Sequence, residues 1–137
     1  MIEKTMIGIV AAFVLAQGWK MIDTRRKIGK WDWSMWLQNG GMPSGHTATT
    51  TALTTGILLD TGISYLFLIS AVFTLIVIND AMKVRREAGE EAAIINEMMD
   101  KEKIIRHRLS THVGHTPEQV TIGFILGVVV TLIIHLF

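Results

Sequence analysis

The chain has 137 residues, half of them hydrophobic and 18% charged, with no cysteine and a formal net charge of +1. The length suits a single domain over 1–137; the missing thiols exclude disulfides, thiol nucleophiles and thiolate metal sites, and the balanced charge gives no global field for nucleic acid. Several apolar runs approach the ~20 residues needed to cross a ~30 Å hydrocarbon core, so the sequence reads as an integral membrane protein.

The first apolar helix is expected over Thr5–Trp19. Lys4 precedes it but no Ala-x-Ala pattern follows, which favours a retained span over a cleaved signal peptide. Gly8, Ala12 and Ala16 form a small-residue stripe for close helix approach, and Gln17 and Trp19 mark the interface. A polar connector follows from Lys20 to Gln38. Its Lys20, Arg25, Arg26, Lys27 and Lys30 stand beside Trp31, Trp33 and Trp36, the usual dressing of a cytoplasmic membrane surface.

Gly40-Gly41-Met42-Pro43-Ser44-Gly45-His46-Thr47 then breaks one helix and opens another. Ser44 suits the N-cap, which would leave the amides of Gly45, His46 and Thr47 free at the positive end of a helix dipole. Such an end binds anions, phosphate above all. His46 adds a group that titrates near ~6.5 and could protonate a leaving oxygen. The plainer alternative is a capping loop with a polar histidine at the membrane surface.

The second span, Ser44–Leu59, carries Thr47, Thr49, Thr50, Thr51, Thr54 and Thr55. Its 16 residues rise only ~24 Å, which implies that its His46 end lies in a polar pocket below the surface. Asp60-Thr61-Gly62 reads as a turn, and Ile63–Ile78 as the most uniformly apolar span. From Ala81 to about Leu109 the pattern predicts a charged helix outside the bundle. Lys83–Glu87, Arg86–Glu90 and Glu102–Arg106 are spaced to pair, and Val84, Ala88, Ala92, Ile95 and Met99 form a narrow apolar seam. Asp80, Lys83, Arg85 and Arg86 sit at a span end, at headgroup level, where a guanidinium can fork onto phosphate oxygens. Thr116–Phe137 closes the chain, apolar from Val120, with a Gly123/Gly127 packing contact and an interfacial His135.

Twelve of the 13 Lys and Arg residues fall in the 20–43 and 80–117 connectors. The expected fold is therefore all-α: a polytopic membrane helix bundle of about four transmembrane helices plus a cytoplasmic charged helix. The positive-inside rule makes it N-out, C-out in the plasma membrane. His46, Arg85, Arg86 and His115 then converge on the cytoplasmic face.

The octapeptide, Asn79-Asp80-Ala81-Met82-Lys83-Val84-Arg85-Arg86-Glu87-Ala88-Gly89 and Gly114-His115-Thr116-Pro117-Glu118-Gln119-Val120 together resemble the divergent branch of the type 2 phosphatidic acid phosphatase superfamily, which includes vanadium-dependent haloperoxidases. The resemblance runs from about Gln17 to Gly127. It implies that His115 is the nucleophile and His46 the general acid, with Ser44 and the Gly45 amide on the phosphate. Lys83, Arg85 and Arg86 become phosphate-binding cations supported by Asp80. The first motif, a Lys followed seven residues later by Arg-Pro, is matched only loosely by Lys20 and Arg26, with no proline. Two departures concern the third motif. The family places an acid four residues after the nucleophile; Gln119 stands there, and the candidate acid Glu118 is one place earlier. An arginine is expected six residues before His115; Leu109 is there beside Arg108, so the Arg85–Arg86 pair would substitute.

The implied function is a membrane lipid phosphatase acting on a phosphomonoester or pyrophosphate of a phospholipid or isoprenoid, through a phosphohistidine, with no cofactor. Asp80, Glu87 and Glu91 could hold Mg²⁺ at helical spacing, but pairing with neighbouring arginines explains them and no metal is expected. The alternatives are a non-hydrolytic lipid-phosphate binder or transporter that keeps the anion site, and a small membrane scaffold. The expected partners are the lipid phosphate and the bilayer, with no nucleic acid, and small-residue stripes on three helices suit a homodimer.

Overall fold

The computed structural model describes residues 2–31, 33, 41–111 and 113–137; Trp36 and Gly40 lie outside the described residues. Among these residues all regular structure is helical. Helix α1 spans Ile2–Ile28, well past the expected Trp19, and ends in Arg25, Arg26 and Lys27, whose charges favour a helix C-terminus. Helix α2 spans Gly45–Thr61, capped by Ser44 at its start and closed by Gly62, whose φ of 67° suits a residue without a Cβ. Helix α3, Tyr65–Asn79, is capped by Ser64. It continues through a π-helical turn, Asp80–Val84, into α4, Arg85–Lys101. Helix α5 spans Pro117–Leu136 and opens with a capping box formed by Thr116 and Gln119.

Among the described residues, three helical runs are long and apolar enough to cross a membrane: α1, the continuous Tyr65–Lys101 and α5. The expected fourth, α2, has 17 residues, a rise of ~26 Å, and lies innermost, packed on α1, α3 and α5. The result is an all-α membrane bundle. Its core is made of small residues: Ala12, Ala16, Ala48 and Ala52 are fully buried, with Val130 beside them. A Cβ at Gly123 would come within 2.5 Å of the Ser44 carbonyl, and one at Gly127 within 2.5 Å of the Ala48 carbonyl. Backbone therefore packs on backbone, the close approach by which helices gain contact where lipid removes the hydrophobic drive.

The threonines of α2 satisfy themselves on carbonyls and across the bundle. Thr49 and Thr50 donate back to the Gly45 and His46 carbonyls, and Thr54 meets Thr74 of α3 at 2.9 Å. At one end of the bundle Thr5 donates to Asp60 (3.0 Å) and Lys4 to the His135 carbonyl (3.2 Å), gathering the ends of α1, α2 and α5. Ser44, Asp80 and Thr116 lie at the other end.

The charged helix ends at Lys101, not near Leu109. Lys103 adopts φ 55°, and the chain returns along α4, where Asn96 pairs with both backbone groups of Leu109 at 2.9 Å. Arg108 reaches Asp100 at 2.7 Å. Arg86–Glu90 forms as expected (3.1 Å), whereas Glu102–Arg106 loses its helical spacing and Lys83–Glu87 is not among the ion pairs of the described residues. The returning segment buries Gly89 and Ala92, while Val84 and Ile95 of the expected seam stay exposed.

Candidate functional site

Ser44 is wholly buried at the start of α2. Its N–H donates to the Gln119 carbonyl (3.0 Å), and its hydroxyl oxygen accepts from both the N–H (3.4 Å) and the hydroxyl (3.0 Å) of Thr47. The Thr47 amide, expected to be free, is thus taken by the cap, and the Ser44 hydroxyl faces inward. The Gly45 and His46 amides remain without intrahelical acceptors. His46 is exposed beside them.

Two concavities meet at His46. One, of about 230 Å³, lies between α1 and α2 and is lined by Phe13, Gln17, Lys20, Gly45, His46, Thr49 and Thr50. The other, of about 200 Å³, lies on the α3 side, lined by His46, Ile76, Val77, Asp80, Ala81 and Arg85. His46 is their common wall. Lys20 is only 6% exposed, its stem in ordinary van der Waals reach of where a Cβ on Gly41 would stand, and its charge acts on both His46 and His115. Arg85 acts on His46 from the other side; its Nε donates to Asp80 at 2.6 Å, which leaves the two terminal nitrogens outside that ion pair.

His115 is buried (4% exposed) in the segment before α5. Its N–H donates to the Ala81 carbonyl at 2.9 Å. That carbonyl is available because of the π turn. Arg85 N–H reaches back five residues to Asp80, and the return to four-residue spacing skips one carbonyl, the next in line being Ala81. Gly114, at φ 90°, lies so close to the Arg86 backbone that a Cβ there would be 2.6 Å from its nitrogen.

Gln119 fixes the state of the imidazole. Its Oε1 accepts the Thr116 N–H at 3.2 Å and lies 3.1 Å from His115 Nδ1. A backbone N–H can only donate, so the amide atom it meets is oxygen, and Nδ1 must supply the hydrogen to that oxygen. A neutral His115 then keeps its lone pair on Nε2. Burial pushes its pKa below the ordinary imidazole value, and the charges of Lys20 and His46 add to this; Gln119 and the Gly41 carbonyl work the other way.

The structure therefore brings together His46, His115, Lys20, Arg85, Asp80, Ser44, Gly45 and Gln119. It does not bring in the rest. Glu118 is exposed and meets Thr116 and the charge of Arg86, so Gln119 and not Glu118 is the partner of His115. Arg86 pairs with Glu90 and does not line either concavity. Lys83 is exposed, and so is Arg26, six residues beyond Lys20 on α1.

Two contributors escape sequence reasoning. Gln17 reads there as an interface marker, yet Phe13, Gln17 and Lys20 fall on one helical face, a spacing that could have placed them together. The Ala81 carbonyl leaves no signal in residue type. Among the described residues, no group of three or more His, Asp or Glu side chains is assembled to hold a metal ion.

Residues 1–130 match a family described as the Divergent PAP2 family. The chain is also similar to the uncharacterized membrane protein YuiD of Bacillus subtilis (strain 168), at 36% identity covering 96% of this chain and 94% of that protein. No solved structure matches.

Proposed function

The chain belongs to the Divergent PAP2 family, and from that premise we propose that it is a membrane lipid phosphatase whose site faces the cytoplasm. His115 Nε2 attacks phosphorus, the bond from phosphorus to the leaving oxygen breaks, and His46 gives that oxygen its proton. Lys20 and the Gly45 and His46 amides hold the equatorial oxygens, where negative charge gathers in the transition state. Water then attacks the phosphohistidine, passes its proton to His46 and releases inorganic phosphate.

The observation that carries this reading is geometric: Gln119 holds the His115 ring through its side chain and the Ser44 N–H through its carbonyl, two residues before His46, and the buried Lys20 lines the same concavity as His46. Its test is a panel of phospholipid and isoprenoid phosphates assayed for phosphate release by the protein in detergent micelles. Release that disappears in His115→Asn, together with an acid-labile phosphoenzyme, supports it. Release unchanged in that variant removes the covalent route.

A second reading rests on Gln119. An amide orients the imidazole but does not neutralise the positive charge that His115 acquires on attack, whereas a carboxylate would. A protein that binds lipid phosphates without releasing phosphate would be a carrier that keeps the anion site.

A further inference from the structure

The segment that leads into α2 touches two different concavities. Gly41 lies beside the stem of the buried Lys20, which with Gly45 and His46 lines the space between α1 and α2. Met42 and Pro43 instead form one end of a third concavity, of about 340 Å³, whose other walls are Leu15 and Trp19 of α1 and Ile122 and Leu126 of α5. Helical spacing separates the two. Phe13, Gln17 and Lys20 share one face of α1, whereas Leu15 and Trp19, four residues apart, share another. On α5, Ile122 and Leu126 follow Gln119 by three and seven residues. They continue the helix face whose first member holds the His115 ring.

The chemistry of this third space differs from that of the other two. Those carry Lys20, Asp80 and Arg85, while this one has no charged or hydroxyl side chain in its walls. Leu15, Trp19, Met42 and Ile122 are 42–51% exposed, so the groove opens sideways between α1 and α5, both long and apolar enough to cross a membrane. A peptide lying there would leave backbone polar groups unpaired in hydrocarbon, which makes a hydrocarbon chain the fitting occupant. Leu126 stands ~10 Å further along α5 than Gln119, so the groove runs from the phosphate end of the bundle toward its middle. The Ser44 N–H, bonded to the Gln119 carbonyl at 3.0 Å, joins the groove's head to the start of α2.

We propose that this groove seats a hydrocarbon chain of the same lipid whose phosphate is held at Lys20 and the α2 N-terminus, the chain passing beside Pro43. The inference rests on the phosphatase reading for where the phosphate lies, and adds which two helices take the chain. Trp19 stands where head and chain meet, at the level that tryptophan favours. A chain that leaves the bilayer for the groove gains packing and no hydrophobic drive, so Leu15 and Leu126 act by fit.

The test measures binding of farnesyl monophosphate and of inorganic phosphate to the full chain in phosphatidylcholine nanodiscs. Leu126→Trp should weaken farnesyl monophosphate by about tenfold, because an indole in the groove excludes the chain, and should leave inorganic phosphate unchanged. Leu15→Trp, at a half-exposed position on the facing helix, gives the same comparison should the first variant fail to fold. Ile125→Trp, exposed on α5 and outside the groove, should change neither ligand. Unchanged farnesyl monophosphate affinity in both groove variants, an equal loss of both ligands, or an equal effect of Ile125→Trp would overturn the proposal. So would a wild type that binds neither ligand. Groove-dependent binding of the farnesyl compound with no phosphate release would leave it standing and sink the phosphatase reading instead.

Discussion

The backbone N–H of His115 donates to the carbonyl of Ala81 at 2.9 Å, across 34 residues of chain. One insertion in the helical ladder between α3 and α4 thus ties the candidate nucleophile to the segment that presents Asp80 and Arg85. Its neighbour Gly114 makes the approach possible. A π turn costs hydrogen-bond geometry in the helix that contains it, and here the carbonyl it releases finds a partner from another part of the chain.

Gly114→Ala tests that tie. The left-handed φ of 90° and a Cβ placed 2.6 Å from Arg86 N both oppose the substitution. The strain should cost ~1–3 kcal/mol, read as a lowered unfolding temperature. The amide of His115 should also lose hydrogen-exchange protection. A variant as stable and as protected as the wild type would show that the segment is not held at this point.

Lys20 and Arg26 separate a buried cation from an exposed one on the same helix. Lys20→Ala removes the charge that acts on both histidines and should weaken inorganic phosphate or vanadate binding by ~1.5–3 kcal/mol, the range for hydrogen bonds to charged groups. Arg26→Ala and Lys103→Ala, both at exposed positions, should change it little. Titration calorimetry of the three variants decides the matter, and similar losses in all three would mean a diffuse surface field.

Much of this was legible in the residues. Ser44 reads as an N-cap because its hydroxyl can take an amide three residues on, and it does. The paired glycines of α5 read as packing, and they sit on the carbonyls of the α2 N-cap Ser44 and of Ala48. The helix ends were harder. Apolar content stops near Trp19, but lysine and arginine are good helix formers that also suit a C-terminus, so α1 runs on to Ile28. The reverse holds after Lys101, where helix-favouring residues lose to Asn96, which captures the Leu109 backbone. Gln119 reads as a defect when only the missing charge is considered. Its value lies in the oxygen that Thr116 pins toward His115, a relation between a cap and a ring that residue spacing does not show.

The pH dependence follows from His115. Burial holds its pKa below the ordinary imidazole value, which is ~6.5. Below that pH the unfolded chain takes up a proton that the folded one refuses, so stability falls as pH drops from ~6.5 toward the folded value and then levels. If His115 attacks phosphorus as proposed, it does so as the neutral ring, and the acid limb of any phosphate release should also lie below pH ~6.5. Gln119→Glu keeps the capping box and places a carboxylate on Nδ1–H, which should move that limb to higher pH. An unmoved limb would show that another group controls it.

Orientation can be read by labelling, because the chain has no cysteine of its own. Thr61 lies at the α2–α3 turn and Lys30 beyond the other end of α1, both exposed. With the basic connectors inside, Thr61→Cys should react with an impermeant maleimide on intact cells and Lys30→Cys only after lysis. Reversed labelling would put the site outside.

The two histidines should fail differently. His46 stands exposed at the α2 N-terminus where the two concavities meet, a place from which it can reach a leaving oxygen, whereas His115 is buried and anchored at both its backbone and its ring. His46→Ala should slow turnover of a lipid phosphate by ~10²–10⁴, the range for general acid catalysis. The penalty should shrink for p-nitrophenyl phosphate, whose leaving group departs without a proton, while His115→Ala abolishes turnover of both. Single-turnover measurements should show the phosphoenzyme forming slowly in His46→Ala and not at all in His115→Ala. An equal penalty for both substrates in His46→Ala would mean that this histidine binds phosphate and does not deliver the proton.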